Sequence, residues 1–150
     1  MITKVHRLGP GDEGSWRTAV EQIISPEDRD EQLITESEVL AALTDSRCYM
    51  FLATINGEAV GLLSAYRFPD LEAGGSLVYL YDIEVTLSHR GNGIGRDLIV
   101  ELMSFSQSDG VKLIWAGTEG NNTSARRAFE STKGELTGVS YVEYEWELEE

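Results

Sequence analysis

Apolar positions recur along this chain with two different periods, and the switches between them divide it into elements. Ile2 to Leu8 reads as a short strand, closed by the turn cluster Gly9-Pro10-Gly11. Asp12 is placed to cap a helix whose apolar residues Trp16, Ala19, Val20, Ile23 and Ile24 share one face. Ser25-Pro26 ends that helix, and the acidic run from Glu27 to Glu31 is expected to be an exposed loop. Thr35 with Glu38 forms a capping-box signature for a second helix through Val39, Leu40 and Leu43. Two apolar runs, Cys48–Ile55 and Glu58–Tyr66, are joined by Asn56-Gly57 and are expected to pair as an antiparallel hairpin. A polar connection from Pro69 to Ser76 leads into Leu77–Val85, rich in β-branched and aromatic residues as a buried strand should be.

From Ile94 the period becomes helical, with Ile94, Leu98, Ile99, Leu102 and Phe105 on one face through Ser108. Val111–Ala116 is the next strand, and two strands joined through a helix of that length are predicted to be parallel with a right-handed crossover. Asn121-Asn122 opens a helix through Ala125, Ala128 and Phe129, ended by Gly134. Beyond Val139 the chain alternates, with Val142, Tyr144, Trp146 and Leu148 on one face and Tyr141, Glu143, Glu145 and Glu147 on the other, the pattern of a half-exposed final strand. The order β-α-α-β-β-β-α-β-α-β predicts a mixed α/β (α+β) fold, a central sheet flanked by helices, as a single domain over residues 1–150.

Composition narrows the chemistry. Twenty-six acidic against twelve basic residues give a formal charge of −14, which argues against nucleic acid or an anionic membrane as partner and favours a cationic one. Acidity that serves only solubility is the alternative. Cys48 is the single cysteine, so no disulfide or cysteine-based zinc site is expected, and Tyr49, Met50 and Phe51 around it suggest a buried thiol in a reducing compartment. His6 and His89 lack partners at metal-ligand spacing, read as surface positions, and no metal is expected. No apolar leader or bilayer-length run is present, which points to the cytoplasm.

The stretch from Tyr79 to Asp97 organises the rest. An apolar strand runs into Arg90-Gly91-Asn92-Gly93-Ile94-Gly95 and then a helix, so unpaired backbone N–H groups and the positive end of the helix dipole face the turn, an arrangement that accepts phosphate. Arg90 adds a charged fork. The glycine spacing is not the dinucleotide fingerprint, and no Gly-Lys-Ser/Thr of a nucleoside-triphosphate loop follows. The segment resembles the acetyl-CoA-binding motif of the GNAT superfamily of N-acetyltransferases, Arg/Gln-x-x-Gly-x-Gly/Ala, matched by Arg90, Gly93 and Gly95, and the element order resembles that fold over nearly the whole chain. The resemblance implies that Arg90, Gly91, Asn92, Gly93, Ile94, Gly95 and Arg96 hold the pyrophosphate of acetyl-CoA, that backbone groups of Ile83 and Val85 grip its pantetheine arm, and that the Val85 amide is the oxyanion donor. Asn122 is implied at the pantetheine end, and as an N-cap of the following helix it reads equally well.

Within the superfamily, Ala65-Tyr66-Arg67-Phe68-Pro69 and Tyr79-Leu80-Tyr81-Asp82-Ile83-Glu84-Val85 resemble the Ala-Tyr-x-x-Pro segment and Tyr-x-Tyr-Asp-Leu-Ala-Val strand of type I aminoglycoside 3-N-acetyltransferases. This implies transfer of acetyl to the 3-amino group of an aminoglycoside, with Asp82 as base and Tyr81, Asp82, Glu84, Glu119, Glu143 and Glu145 lining the acceptor site. The chain departs from those patterns twice. Glu84 replaces alanine, adding a second candidate carboxylate base, and Phe129 stands where the superfamily's Asn-x-x-Ala-x-x-x-Tyr helix carries the tyrosine that reprotonates CoA. Other readings remain open: another amine such as a polyamine or a peptide N-terminus, or a domain that binds acyl-CoA without catalysis. A homodimer is compatible with the sequence.

Overall fold

The computed structural model describes residues 2–29 and 32–148. Its sheet has five strands in sequential order: β1 (Thr3–Arg7), β2 (Cys48–Ile55), β3 (Glu58–Pro69), β4 (Ser76–Val85) and β5 (Val111–Ala116). β1 to β4 pair antiparallel in succession, and β5 runs parallel to β4. The β2–β3 hairpin turns at Asn56 (φ 51°) and Gly57 (φ 80°), the pair of positive dihedrals that the Asn-Gly signal requires. Four helices join these strands: α1 (Glu13–Ile23), α2 (Glu36–Thr44), α3 (Ile94–Ser108) and α4 (Thr123–Ser131).

The strands' alternation sorts side chains into two layers. Tyr49, Phe51, Ala53, Leu63, Val78 and Leu80 meet Ile94, Leu98, Ile99 and Leu102 of α3. On the opposite face Met50, Leu52 and Leu62 pack with Trp16 and Ala19 of α1 and Val39 of α2. Thr35 and Glu38 form the complete capping box of α2. Asp12 takes the N-cap position of α1, but its side chain accepts from the Gly9 amide rather than from the helix. Gly61 in β3 brings α3 close: a Cβ there would lie 3.1 Å from both Ile94 and Leu98, so the absent side chain lets the first turn of α3 sit against the end of β4.

Two expectations are corrected. Cys48 is half-buried, because its strand position lies at the start of β2 rather than under a helix. The predicted final strand is not formed: Val139–Leu148 has no strand pairing, and its apolar side chains are solvent-exposed. Alternation selects the face a strand would bury, but ladder bonds need an adjacent backbone, and this segment has none within the described chain.

Candidate active site

The site forms where β4 loses one of its neighbours. β4 pairs with β3 along its whole length, whereas its ladder with β5 ends at Leu80 opposite Ala116. Beyond that point the parallel strands part, and the β5 side of Tyr81–Val85 is without a strand partner. An extended ligand arm can add there as a strand would.

A bulge sets which side chains face this opening. Ser64 pairs with Asp82 while Ala65 pairs with Leu80, leaving Tyr81 as an extra residue. Strict alternation after Val78 and Leu80 would drive Asp82 and Glu84 into the α3 core. The bulge shifts the parity, so Ile83 and Val85 pack against that core instead, and the two carboxylates lie on the other face. Tyr81 is exposed, its ring edge-on to Tyr66 at 5.7 Å.

Asp82 and Glu84 are each partly buried and close enough to share a hydrogen bond. Burial pushes the Asp82 carboxyl above its ordinary value, opposed by the bond from Glu84 and by one from the Ile83 amide. Burial also raises Glu84, and the Asp82 charge beside it raises it further, against the pull of Arg90. A pair so coupled holds a shared proton more tightly than free carboxylates. Glu84, Val85, Leu87 and Arg90 line one side of a ≈ 240 Å³ cavity whose other wall is Ile23, Ile24, Ser25 and Asp28. No local signal in the residues indicates that the end of α1 and the 3-10 turn after it (Pro26–Asp28) reach the site. Asp28 brings a further negative charge to bear on Glu84.

The glycine turn follows a 3-10 turn (Leu87–His89) pinned by His89, whose Nδ1 bonds the Thr86 hydroxyl at 2.8 Å. His89 is thus a structural member of the turn, while His6 is an exposed strand residue. Gly91 and Gly93 have φ of 81° and 79°, with open space where a Cβ would stand, and Gly93 is the N-cap of α3. No side chain packs over Gly91 or Gly93, so a ligand can approach the backbone amides at the first turn of α3. Gly95 serves a different purpose: a Cβ there would lie 3.3 Å from that of Ala128, so it permits α4 to pack on α3. Asn92 donates to the His89 carbonyl and the exposed Arg96 pairs with Asp97 at 3.4 Å. Arg90 turns back, its Nε donating to the Val85 carbonyl at 3.1 Å; its charge here serves the cavity beside Glu84.

Asn122 caps α4, accepting from the Ala125 amide at 3.1 Å, which leaves its side-chain NH2 free to donate elsewhere. Phe129 is half-buried against the α3 core and has no proton to give. Glu119 is exposed beyond β5 and, with Glu143 and Tyr79, faces the Tyr141 hydroxyl. Glu143 and Glu145 lie on the unpaired terminal segment and are not brought to Asp82 as expected, because the strand that would carry them there is not formed.

Comparison with known proteins agrees with this geometry. A search of curated protein sequences finds no significant match. Among solved structures, an aminoglycoside acetyltransferase from an uncultured soil metagenomic sample, in complex with sisomicin, superposes with a TM-score of 0.85 at 21% identity, covering 97% of each chain. A second aminoglycoside acetyltransferase from such a sample gives 0.86 at 23%, covering 98% of this chain and all of the other. Aminoglycoside N-acetyltransferase AAC(6')-Iy in complex with CoA gives 0.74 at 19%, covering 96% and 95%. At these identities the likeness establishes the fold, and the sequence itself matches the acetyltransferase (GNAT) family over residues 16–134. With strands that part beside a glycine turn and a helix N-terminus, and with that match spanning most of its length, the chain belongs to the GNAT acetyltransferase family.

Proposed function

We propose that the protein transfers acetyl from acetyl-CoA to an amine of a polycationic small molecule, and specifically to the 3-amino group of an aminoglycoside. One observation carries the reading: the Asp82–Glu84 carboxyl pair stands at the mouth of the opening beside β4, next to a cavity with Asp28 on its far wall. The residues present suit acetyl-CoA, since the turn is open above Gly91 and Gly93 and the β5 side of Tyr81–Val85 is unpaired. When bound there, acetyl-CoA supplies an activated thioester acyl group.

The chain's own groups do the rest. An amine of a polycation arrives protonated, so Asp82 and Glu84 hold the ammonium and then accept its proton, directly or through a water. Burial raises both carboxyls, which suits them to that transfer better than a free carboxylate of pKa ~4. The Val85 amide is assigned to the charge that develops on the acyl oxygen. Phe129 cannot return a proton to the departing sulfur, which leaves as thiolate or is protonated by water, tolerable for a thiol of pKa ~8–9. The 3-amino assignment is supported by the Ala65–Pro69 and Tyr79–Val85 segments, which pair side by side as β3 and β4. Because one similar structure is an AAC(6') enzyme, the position of transfer is the point to measure.

A free-thiol assay over a panel of aminoglycosides, polyamines and monoamines tests the reading, with mass spectrometry and NMR locating the new acetyl group. Acetylation at position 3 is the expected result; acetylation of no aminoglycoside, or at another nitrogen, overturns the assignment. Phe129 favours one second reading, a domain that binds acyl-CoA without turnover, and the same assay distinguishes it.

A further inference from the structure

The sheet face that carries Asp82 and Glu84 is covered by helices only in part. Met50, Leu52 and Leu62 lie under α1 and α2, but further along the same face Tyr66, Phe68, Tyr81 and Trp115 are between 36% and 64% exposed. Register sets the rings side by side: Tyr66 opposes Tyr79 on β4, and Tyr79 opposes Trp115 on β5. They touch in an unbroken row, with centroids 5.7 Å apart from Tyr66 to Tyr81, 6.3 Å from Tyr81 to Tyr79, 5.1 Å from Tyr79 to Trp115 and 5.3 Å from Trp115 to Phe68. The row is bordered by acid on two sides. Tyr81 adjoins Asp82, whose charge reaches the Tyr66 hydroxyl, and Glu119 and Glu143 stand with Tyr79 about the Tyr141 hydroxyl. Among the described residues no cation of the chain lies over these five rings; the Arg7 guanidinium stacks on Tyr49 and Phe105 instead.

We infer that Tyr79, Trp115 and Phe68 seat a second ammonium-bearing ring of the acceptor, beyond the ring whose amine faces Asp82, and that Trp115 is the determinant of this selectivity. The inference rests on the aminoglycoside reading and adds to it the part of the acceptor that does not react. Aromatic faces carry negative charge density and attract an ammonium, while their apolar surface accepts the C–H edges of a saturated ring. An acidic border draws the same cation from a distance. A purely apolar occupant would desolvate the bordering carboxylates without compensation, and an anionic one would be repelled by them. Position favours one ligand spanning both places: Tyr79 and Trp115 are paired one residue before Leu80 and Ala116, where β4 and β5 part, and the β4 chain reaches Asp82 two residues later. Stacking on a row of rings also demands less exact geometry than a set of hydrogen bonds, so rings with differently placed amines fit one surface.

Ligand-detected NMR titrations of the full chain test this without acetyl-CoA or turnover, using a three-ring aminoglycoside and 2-deoxystreptamine, the single ring that bears the 3-amino group. Trp115→Ala is expected to weaken the three-ring ligand about tenfold, within the range of an ammonium over an aromatic face, and 2-deoxystreptamine by no more than about twofold. Trp115→Phe keeps a ring and should restore most of the loss, with acetyl-CoA affinity unchanged in both variants. Fluorescence gives the second readout: the part of the signal lost in Trp115→Phe, where Trp16 and Trp146 remain, should change when the three-ring ligand binds. Phe68→Ala, at the exposed end of the row, makes the same comparison if Trp115→Ala does not fold. Equal affinity of wild type and variant, or equal losses for both ligands, overturns the aromatic seat and leaves the acetyl-transfer reading standing. A wild-type chain that neither binds nor acetylates any aminoglycoside overturns both. Loss of self-association in Trp115→Ala with aminoglycoside affinity kept would mean that a second copy covers the rings, and overturns the seat as well.

Discussion

β4 and the terminal segment both read as strands in sequence and have opposite fates in the structure. β4 reads so through a run of β-branched and aromatic residues, the terminal segment through alternation of apolar and polar residues over about the length of a strand. β4 lies between β3 and β5 with Val78 and Leu80 sealed beneath α3, whereas Val142, Tyr144 and Trp146 meet solvent. A period of two states which face a strand would bury; its stability comes from the neighbours that face meets. The same contrast recurs inside β4. Ser76–Leu80 has partners on both sides and is scaffold, while Tyr81–Val85 has one, and there the carboxylates and free backbone groups are available for chemistry.

The sharpest way to test that contrast is to remove packing on each side of it. Leu98→Ala, beneath the sheet in a fully buried position, is expected to cost about 2–5 kcal/mol in denaturant unfolding. Val142→Ala, in the exposed terminal segment, should stay within about 0.5 kcal/mol; comparable losses at the two sites would remove the distinction. At the half-partnered end of β4, Asp82→Asn is expected to lower kcat/KM by roughly 10²-fold or more, about 2.7 kcal/mol, and Glu84→Gln by less. The reverse ranking would make Glu84 the base.

At the glycine turn, Gly93→Val forces a branched residue to a φ of 79°. Strain of about 1–3 kcal/mol there should weaken acetyl-CoA binding by calorimetry while the fold is retained. Gly95→Val should instead disturb the packing of α4, because its Cβ would meet Ala128.

The pH dependence follows from the two raised carboxyls. Both bind protons more tightly folded than unfolded, so their contribution to stability is full below the unfolded values near pH 4 and is lost as pH rises through the folded ones. Activity should move the other way over the same range, since the base must be ionised. Asp82→Asn is expected to raise the thermal midpoint near neutral pH and flatten its fall as pH rises above the ordinary carboxylate range, while lowering turnover; an unchanged slope would mean that the pair is not strained by burial. Phe129→Tyr should have the smallest effect, a rise in kcat of a few-fold that stopped-flow detection of free thiol would resolve, and only if departure of the thiolate limits the rate.

Much of this molecule was legible in its residues because the signals are local. The capping box at Thr35, the Asn56-Gly57 turn, the helix from Ile94 to Ser108 and the strand from Val111 to Ala116 each depend on neighbours a few positions away. The glycine turn and its resemblance to an acetyl-CoA motif were local too. Only the tertiary structure decided the parity of β4, where one extra residue opposite β3 moves Asp82 and Glu84 out of the core. It also decided the parting of β4 from β5, the arrival of Asp28 from a distant turn, the return of Arg90 to Val85, and the absence of a partner for the final segment. These features depend on which backbones and side chains meet across long separations, and a period of two or of 3.6 carries no information about that meeting.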